Sequence, residues 1–144
     1  MREPLLGVAV GKKGVGKTFT TNRVIKQYVM GNPASGIMPR KVLILDANDE
    51  YTEYKAIALK DLMLFSVHPL VEARRIRPIH ADGKKMTLDD LATTLNYILE
   101  VFSGGLLLIE DINRFTSDFM PQDLMGAIAT NRHRDLDIIL HYQG

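Results

Sequence analysis

The chain has 144 residues and a mass of 16.2 kDa, enough for one domain with a real core and too little for two. Hydrophobic residues make up 46% and charged residues 24%, values that argue against disorder, and 18 basic against 17 acidic residues leave a net charge of +1. That balance disfavours a highly basic binder that wraps any nucleic acid, although a local basic patch stays open. With no cysteine, a disulfide scaffold, a thiol nucleophile and a cysteine zinc site are excluded, which fits a cytosolic compartment.

The N-terminal stretch before Gly11 is too short for a secretory signal. No apolar run approaches the ~18 residues of a membrane span, so the chain reads as soluble and cytoplasmic. Leu5 to Val10 is a continuous apolar run and predicts a strand buried on both faces. A glycine-rich turn follows, then a helix from Lys17 to about Met30 with Phe19, Val24, Ile25 and Tyr28 near helical spacing. Gly31-Asn32-Pro33 stops that helix, and Ala34 to Arg40 reads as a loop. Val42 to Leu45 is a second buried strand, ending at Asp46.

The middle of the chain is less regular. A short helix is expected within Tyr51–Leu62, a short strand over Leu64–Val67, and an alternating strand over Ala73–Ile79. Asp82-Gly83 marks a turn. Thr87, with Asp90 three positions on, caps a helix through Leu88, Leu91, Leu95, Ile98 and Leu99. Gly104-Gly105 ends it and launches the most apolar strand, Leu106 to Ile109; a helix over about Pro121–Thr130 and a strand over Leu136–Leu140 follow. Apolar strands separated by helices predict a single α/β domain over residues 1–144, with helices on both faces of a mostly parallel sheet.

Gly11-Lys12-Lys13-Gly14-Val15-Gly16-Lys17-Thr18 matches G-x-x-x-x-G-K-[ST] in full, between a strand and a helix as the motif requires. The glycines let successive N–H groups converge on a phosphate, and the helix N-terminus adds its dipole. Lys17 then reaches the β- and γ-phosphates, Thr18 offers its hydroxyl to Mg²⁺, and Gly11, Gly14, Val15, Gly16 and Phe19 complete the nucleotide-binding stretch. ATP and Mg²⁺ are the expected ligands.

A carboxylate at the end of a neighbouring strand is needed to hold the water shell of Mg²⁺. The run Leu106-Leu107-Leu108-Ile109-Glu110-Asp111 supplies two. Glu110 takes the magnesium role and Asp111 orients the attacking water; alternatively Asp111 holds the ion and Glu110 turns aside. Asp46 lies on the same functional edge, either near the nucleotide or as a turn-capping aspartate. Gln143 follows the last strand, where it can reach a γ-phosphate or the attacking water. Arg132 and Arg134 precede that strand, at the opposite edge, and suit a subunit interface, DNA or a solvated turn. Arg74, Arg75 and Arg77 with Lys84 and Lys85 form the most basic segment, which contacts a phosphate backbone or faces solvent. His68, His80, His133 and His141 are scattered, without metal-ligand spacing.

Taken in order, the phosphate loop, Lys41 to Asp46 with Glu50-Tyr51, Leu106 to Asp111, and Asn131 to Gln143 resemble the FtsK–HerA superfamily of ring-forming DNA motors. The likeness is strongest to its viral branch of packaging ATPases and zonula-occludens-toxin-like assembly ATPases. It covers about residues 5 to 143, and its specific part is the last segment, an arginine-containing turn leading into an apolar strand that ends in glutamine. The resemblance implies a three-layer, RecA-like P-loop NTPase fold with further strands after residue 144. It also implies a hexameric or pentameric ring acting on DNA, with membrane-protein partners open. Lys17 and Thr18 fall on the nucleotide and magnesium residues, Glu110 on the magnesium aspartate, Asp111 on the catalytic glutamate, and Gln143 on the γ-phosphate sensor. The acidic pair is reversed relative to the family. An arginine finger from a neighbouring subunit is expected, either beyond residue 144 or at Arg132 or Arg134.

A second resemblance, to the ParA–MinD partition ATPases, rests on Lys12 and on Lys41 to Asp46. It is weakened by Lys13 in place of a glycine and by the lack of a counterpart to Arg132–Gln143. An AAA+ loader and a non-hydrolysing nucleotide-binding structural protein are the remaining alternatives.

Overall fold

The central strands form where apolar residues are consecutive, and the two long helices where they recur every third or fourth position. A computed structural model describes residues 6–11, 17–110 and 135–143, with the backbone alone at 6–11, 17–19 and 142–143. In chain order the elements are β1 (Leu6–Gly11), α1 (Lys17–Met30), β2 (Lys41–Leu45), β3 (Lys55–Ala56), α2 (Leu62–Val67), β4 (Ala73–Ile76), α3 (Leu88–Val101), β5 (Gly105–Ile109) and β6 (Leu136–Gln143). The six strands make one sheet in the order β1-β6-β5-β2-β4-β3, and each pairing is parallel.

All five residues of β2 and all five of β5 are buried, as a central parallel strand covered on both faces requires. Alternation along these strands divides the core in two. Val42, Ile44, Leu106 and Leu108 pack on one face with Ile25 of α1 and with Tyr51. Leu43, Leu45, Leu107 and Ile109 pack on the other with Leu62 and Phe65 of α2 and Leu91, Leu95 and Ile98 of α3. The expected three-layer α/β/α domain follows directly. Gly105 is required where β5 meets β2, because a Cβ there would stand 2.4 Å from the Lys41 carbonyl oxygen.

The capping prediction at α3 holds: Thr87 Oγ1 accepts from the Asp90 N–H at 3.1 Å, and the Thr87 N–H donates to Asp90 Oδ2 at 2.8 Å. The Asp82-Gly83 turn forms with Gly83 at φ 87°, a left-handed conformation that suits glycine. Three expectations in the middle of the chain need correction. Leu64–Val67 belongs to a helix, α2, with Leu62 and Phe65 buried one turn apart and Met63, Leu64 and Val67 exposed; so short an apolar run carries no period to separate helix from strand. In place of a helix within Tyr51–Leu62 there is a turn, β3 and one 3₁₀ turn at Leu59–Asp61, because Tyr51 and Tyr54 are held by tertiary partners. Strand β4 ends at Ile76, short of Ile79, ahead of Pro78, which has no N–H for a ladder. The expected helix over Pro121–Thr130 lies outside the described residues.

Candidate functional site

A fully parallel sheet brings the carboxyl ends of its strands to one edge, which is where ligands sit in open α/β folds. Gly11, Leu45, Ile76, Ile109 and Gln143 therefore share an edge. Gly11 ends β1 opposite Gln143 in the β1–β6 register. Helix α1 begins at Lys17, so Lys17, Thr18 and Phe19 form its first turn, the first two being the end of the phosphate-loop sequence, with the helix N-terminus at this edge. Gly14, Val15, Gly16, Asp111, Arg132 and Arg134 lie outside the described residues.

Strand β6 stands between β1 and β5 in the sheet. The acidic strand end therefore meets the phosphate-loop helix through a side chain of β6. Glu110 is fully buried, with its N–H donating to the Leu45 carbonyl at 3.2 Å. Its Oε2 accepts from the Tyr51 hydroxyl at 2.8 Å and lies 2.8 Å from His141 Nδ1. The far nitrogen of that ring, Nε2, is 3.2 Å from Thr21 Oγ1 on α1. Burial first, then the negative charge of Glu110 and the hydrogen bond to it, push the Tyr51 phenol far above its ordinary range. It stays a neutral donor.

Asp46 is also fully buried. Its Oδ1 accepts from the Glu50 N–H and its Oδ2 from the Tyr51 N–H, each at 2.9 Å, and Oδ2 accepts again from Arg75 Nη1 at 2.9 Å. Asp46 thus caps the turn that delivers Tyr51 to Glu110. Arg75 Nε donates to the Tyr54 carbonyl at 3.1 Å, and Nη1 also reaches Asp49. The hydroxyl of Tyr54 donates to Asn22 Oδ1 of α1 at 2.8 Å. Asp49 is held down to about 2, chiefly by its hydrogen bond to Arg77 and then by Arg75.

These contacts correct the reading of the basic segment. Arg75 neither faces solvent nor is free to meet a phosphate backbone; it is buried and neutralised. Arg77 pairs with Asp49, and Arg74 donates to the carbonyls of Lys55 and Ala56.

Sequence reasoning missed Thr21, Tyr51, Arg75 and His141 as a connected group. The available signals were faint: a charged residue inside a strand, and a histidine ending a run of apolar residues. A cavity of about 950 Å³ is lined by Tyr28, Ile37, Met38, Arg40 and Asp135 among others. Arg40 and Asp135 precede β2 and β6, so that cavity opens at the amino edge of the sheet, away from the phosphate loop. Chemistry rather than size selects the site.

No protein-family model matches the chain, and no curated protein matches it closely enough to count as a relative. Solved structures do match. The genome packaging NTPase B204 from Sulfolobus turreted icosahedral virus 2, in complex with sulfate, superposes with a TM-score of 0.58 at 18% identity over 99% of this chain and 66% of its own. The same protein in complex with AMPPCP gives 0.55 at 20% identity, with 99% and 66% covered. B204, the DNA-packaging ATPase from Sulfolobus Turreted Icosahedral Virus, gives 0.53 at 15% identity, with 99% and 67% covered. At such identities the likeness is one of fold, and the chain spans about two thirds of the first neighbour's length. The expected likeness to viral packaging ATPases is thereby met in three dimensions. Among the described residues no helix is long and apolar enough to cross a membrane.

Proposed function

We propose that this chain is a Mg²⁺-dependent ATPase whose hydrolysis drives DNA translocation or packaging in a homo-oligomeric ring. The observation that carries the reading is the meeting, at one sheet edge, of the G-K-T helix start at Lys17 with the buried carboxylate of Glu110, on the fold shared with genome-packaging NTPases. The donor set suits the ion: hydroxyl and carboxylate oxygens are what Mg²⁺ takes. Thr18 and Glu110 would hold the ion, which when bound offsets charge on the phosphate oxygens.

The chain's own residues do the rest. Backbone N–H groups of Gly14 to Thr18 cradle the phosphates, and Lys17 offsets the charge that develops on the γ-phosphate oxygens. Asp111 orients the attacking water, and Gln143 reports the γ-phosphate to β6. An arginine from a neighbouring subunit completes the site, with Arg132 and Arg134 as candidates within this chain. An isolated subunit then turns over slowly.

Steady-state ATP hydrolysis with and without double-stranded DNA tests this, with Lys17→Ala as the blank. A marked rise with DNA, absent from the Lys17→Ala variant, is expected. Turnover by that variant equal to the parent's refutes the site. A flat, blank-level rate despite nucleotide binding refutes the motor and points to a nucleotide-binding scaffold.

A further inference from the structure

Glu110 does not reach the phosphate-loop helix by itself. The register of β6 against β5 pairs Leu140 with Ile109, so the next residue, His141, comes level with Glu110. The ring is buried and bridges two elements, with Nδ1 on Glu110 Oε2 and Nε2 on Thr21 Oγ1. An ionised carboxylate only accepts, so Nδ1 carries a proton toward it; in the neutral ring Nε2 then accepts the Thr21 hydroxyl proton. Thr21 is itself buried and stands one turn along α1 from Thr18.

A second donor reaches the carboxylate from the turn after β2, and it also meets Thr21. Tyr51 donates to the same oxygen and is delivered by the Asp46-capped turn. Two donors converging on Oε2 from β6 and from the turn after β2 set the rotation of the carboxylate, and with it the position of Oε1. Filling this space with apolar side chains would avoid burying four polar groups, each of which costs free energy unless paired. Their presence at the edge where the nucleotide loop begins points to a role in aiming Glu110.

We propose that His141 is a positioning residue: it ties the Glu110 carboxylate to the phosphate-loop helix through Thr21, so that the acid is held in place relative to the nucleotide. The inference rests on Glu110 serving the Mg²⁺ site. Partners behind a metal ligand typically govern metal affinity or activity by about 10–100-fold.

The test compares the full chain with His141→Phe, His141→Asn, Thr21→Val and Glu110→Gln. Two quantities are measured: the Mg²⁺ concentration giving half-maximal binding of AMPPCP, and kcat and KM for ATP. His141→Phe is expected to raise the Mg²⁺ requirement and lower kcat, each by about 10–100-fold, with metal-free analogue binding unchanged. His141→Asn, which keeps a donor near Nδ1, recovers most of both losses, and Thr21→Val moves both in the same direction by less. If His141→Phe fails to fold, Thr21→Val, which removes only a hydroxyl, carries the test. Unchanged Mg²⁺ requirement and kcat in Thr21→Val and in folded His141→Phe, while Glu110→Gln loses both, overturns the positioning role. Equal losses in His141→Asn and His141→Phe also overturn it. An unaffected Glu110→Gln removes the Glu110 reading itself, and the proposal with it.

Discussion

The Asp46–Arg75 pair offers the sharpest test of how the strand-end edge is built. Arg75→Leu deletes the cation and leaves the carboxylate of Asp46 in place. The side chains of Arg75 and Asp46 are 9% and 0% exposed, so water cannot replace the lost partner. Two backbone N–H donors, from Glu50 and Tyr51, remain on Asp46, and the Tyr54 carbonyl loses its donor. Removing one member of a buried pair costs about 3–5 kcal/mol, because the surviving charge stays buried. At about 3 °C per kcal/mol for a chain of this length, that is a fall in Tm of roughly 10–15 °C. Thermal and urea denaturation followed by circular dichroism measure it. A double variant, Asp46→Asn with Arg75→Leu, should lose less than the sum of the single changes by ~1–3 kcal/mol, since no unpaired charge remains. A Tm within ~3 °C of the parent for Arg75→Leu refutes the claim that this arginine is structural.

Two further outcomes follow from the same geometry. Gly105→Ala forces a Cβ onto the Lys41 carbonyl and within 2.9 Å of Phe102 Cζ; it should cost about 1–3 kcal/mol through displacement of β5 from β2, and an unchanged urea midpoint contradicts the close approach. Asp49 has a carboxyl lowered from 3.8 to about 2, so the folded state favours its ionised form. Its stabilisation is full above pH 3.8 and fades as pH falls through about 2. Asp49→Asn, which tolerates the φ of 56° found there, should therefore be less stable than the parent at neutral pH and converge on it in acid. A gap undiminished at pH 2 argues against the Arg77 and Arg75 contacts.

Much of the architecture was legible before folding because its cause is local. Helix α1 spans the expected Lys17–Met30, and α3 begins after the Thr87 cap; the first follows helical spacing up to the Gly31 stop, the second spacing and a cap within four residues. Strands β2, after Lys41, and β5 carry no polar side chain, in keeping with the cover on both of their faces. Between Tyr51 and Val67 the structure departs from the expected helix and strand, while β4 begins at Ala73 as expected; conformation in this part of the chain is imposed from outside it. Tyr51 answers to Asp46 and Glu110, Tyr54 to Asn22, and Arg75 to Asp46 and Asp49. No spacing within the segment encodes those partners.

The candidate site divides along the same line. The phosphate loop and the acids after β5 are motifs, in which neighbouring residues perform one task, and a motif survives in one dimension. The bridge from Thr21 through His141 to Glu110 joins positions 120 and 31 residues apart. It exists because β6 is inserted between β1 and β5, a strand order that depends on which crossovers bury the most apolar surface. Residue types and local periods are properties of the chain alone. Which buried polar groups meet is a property of the sheet order, and only the packed structure decides it.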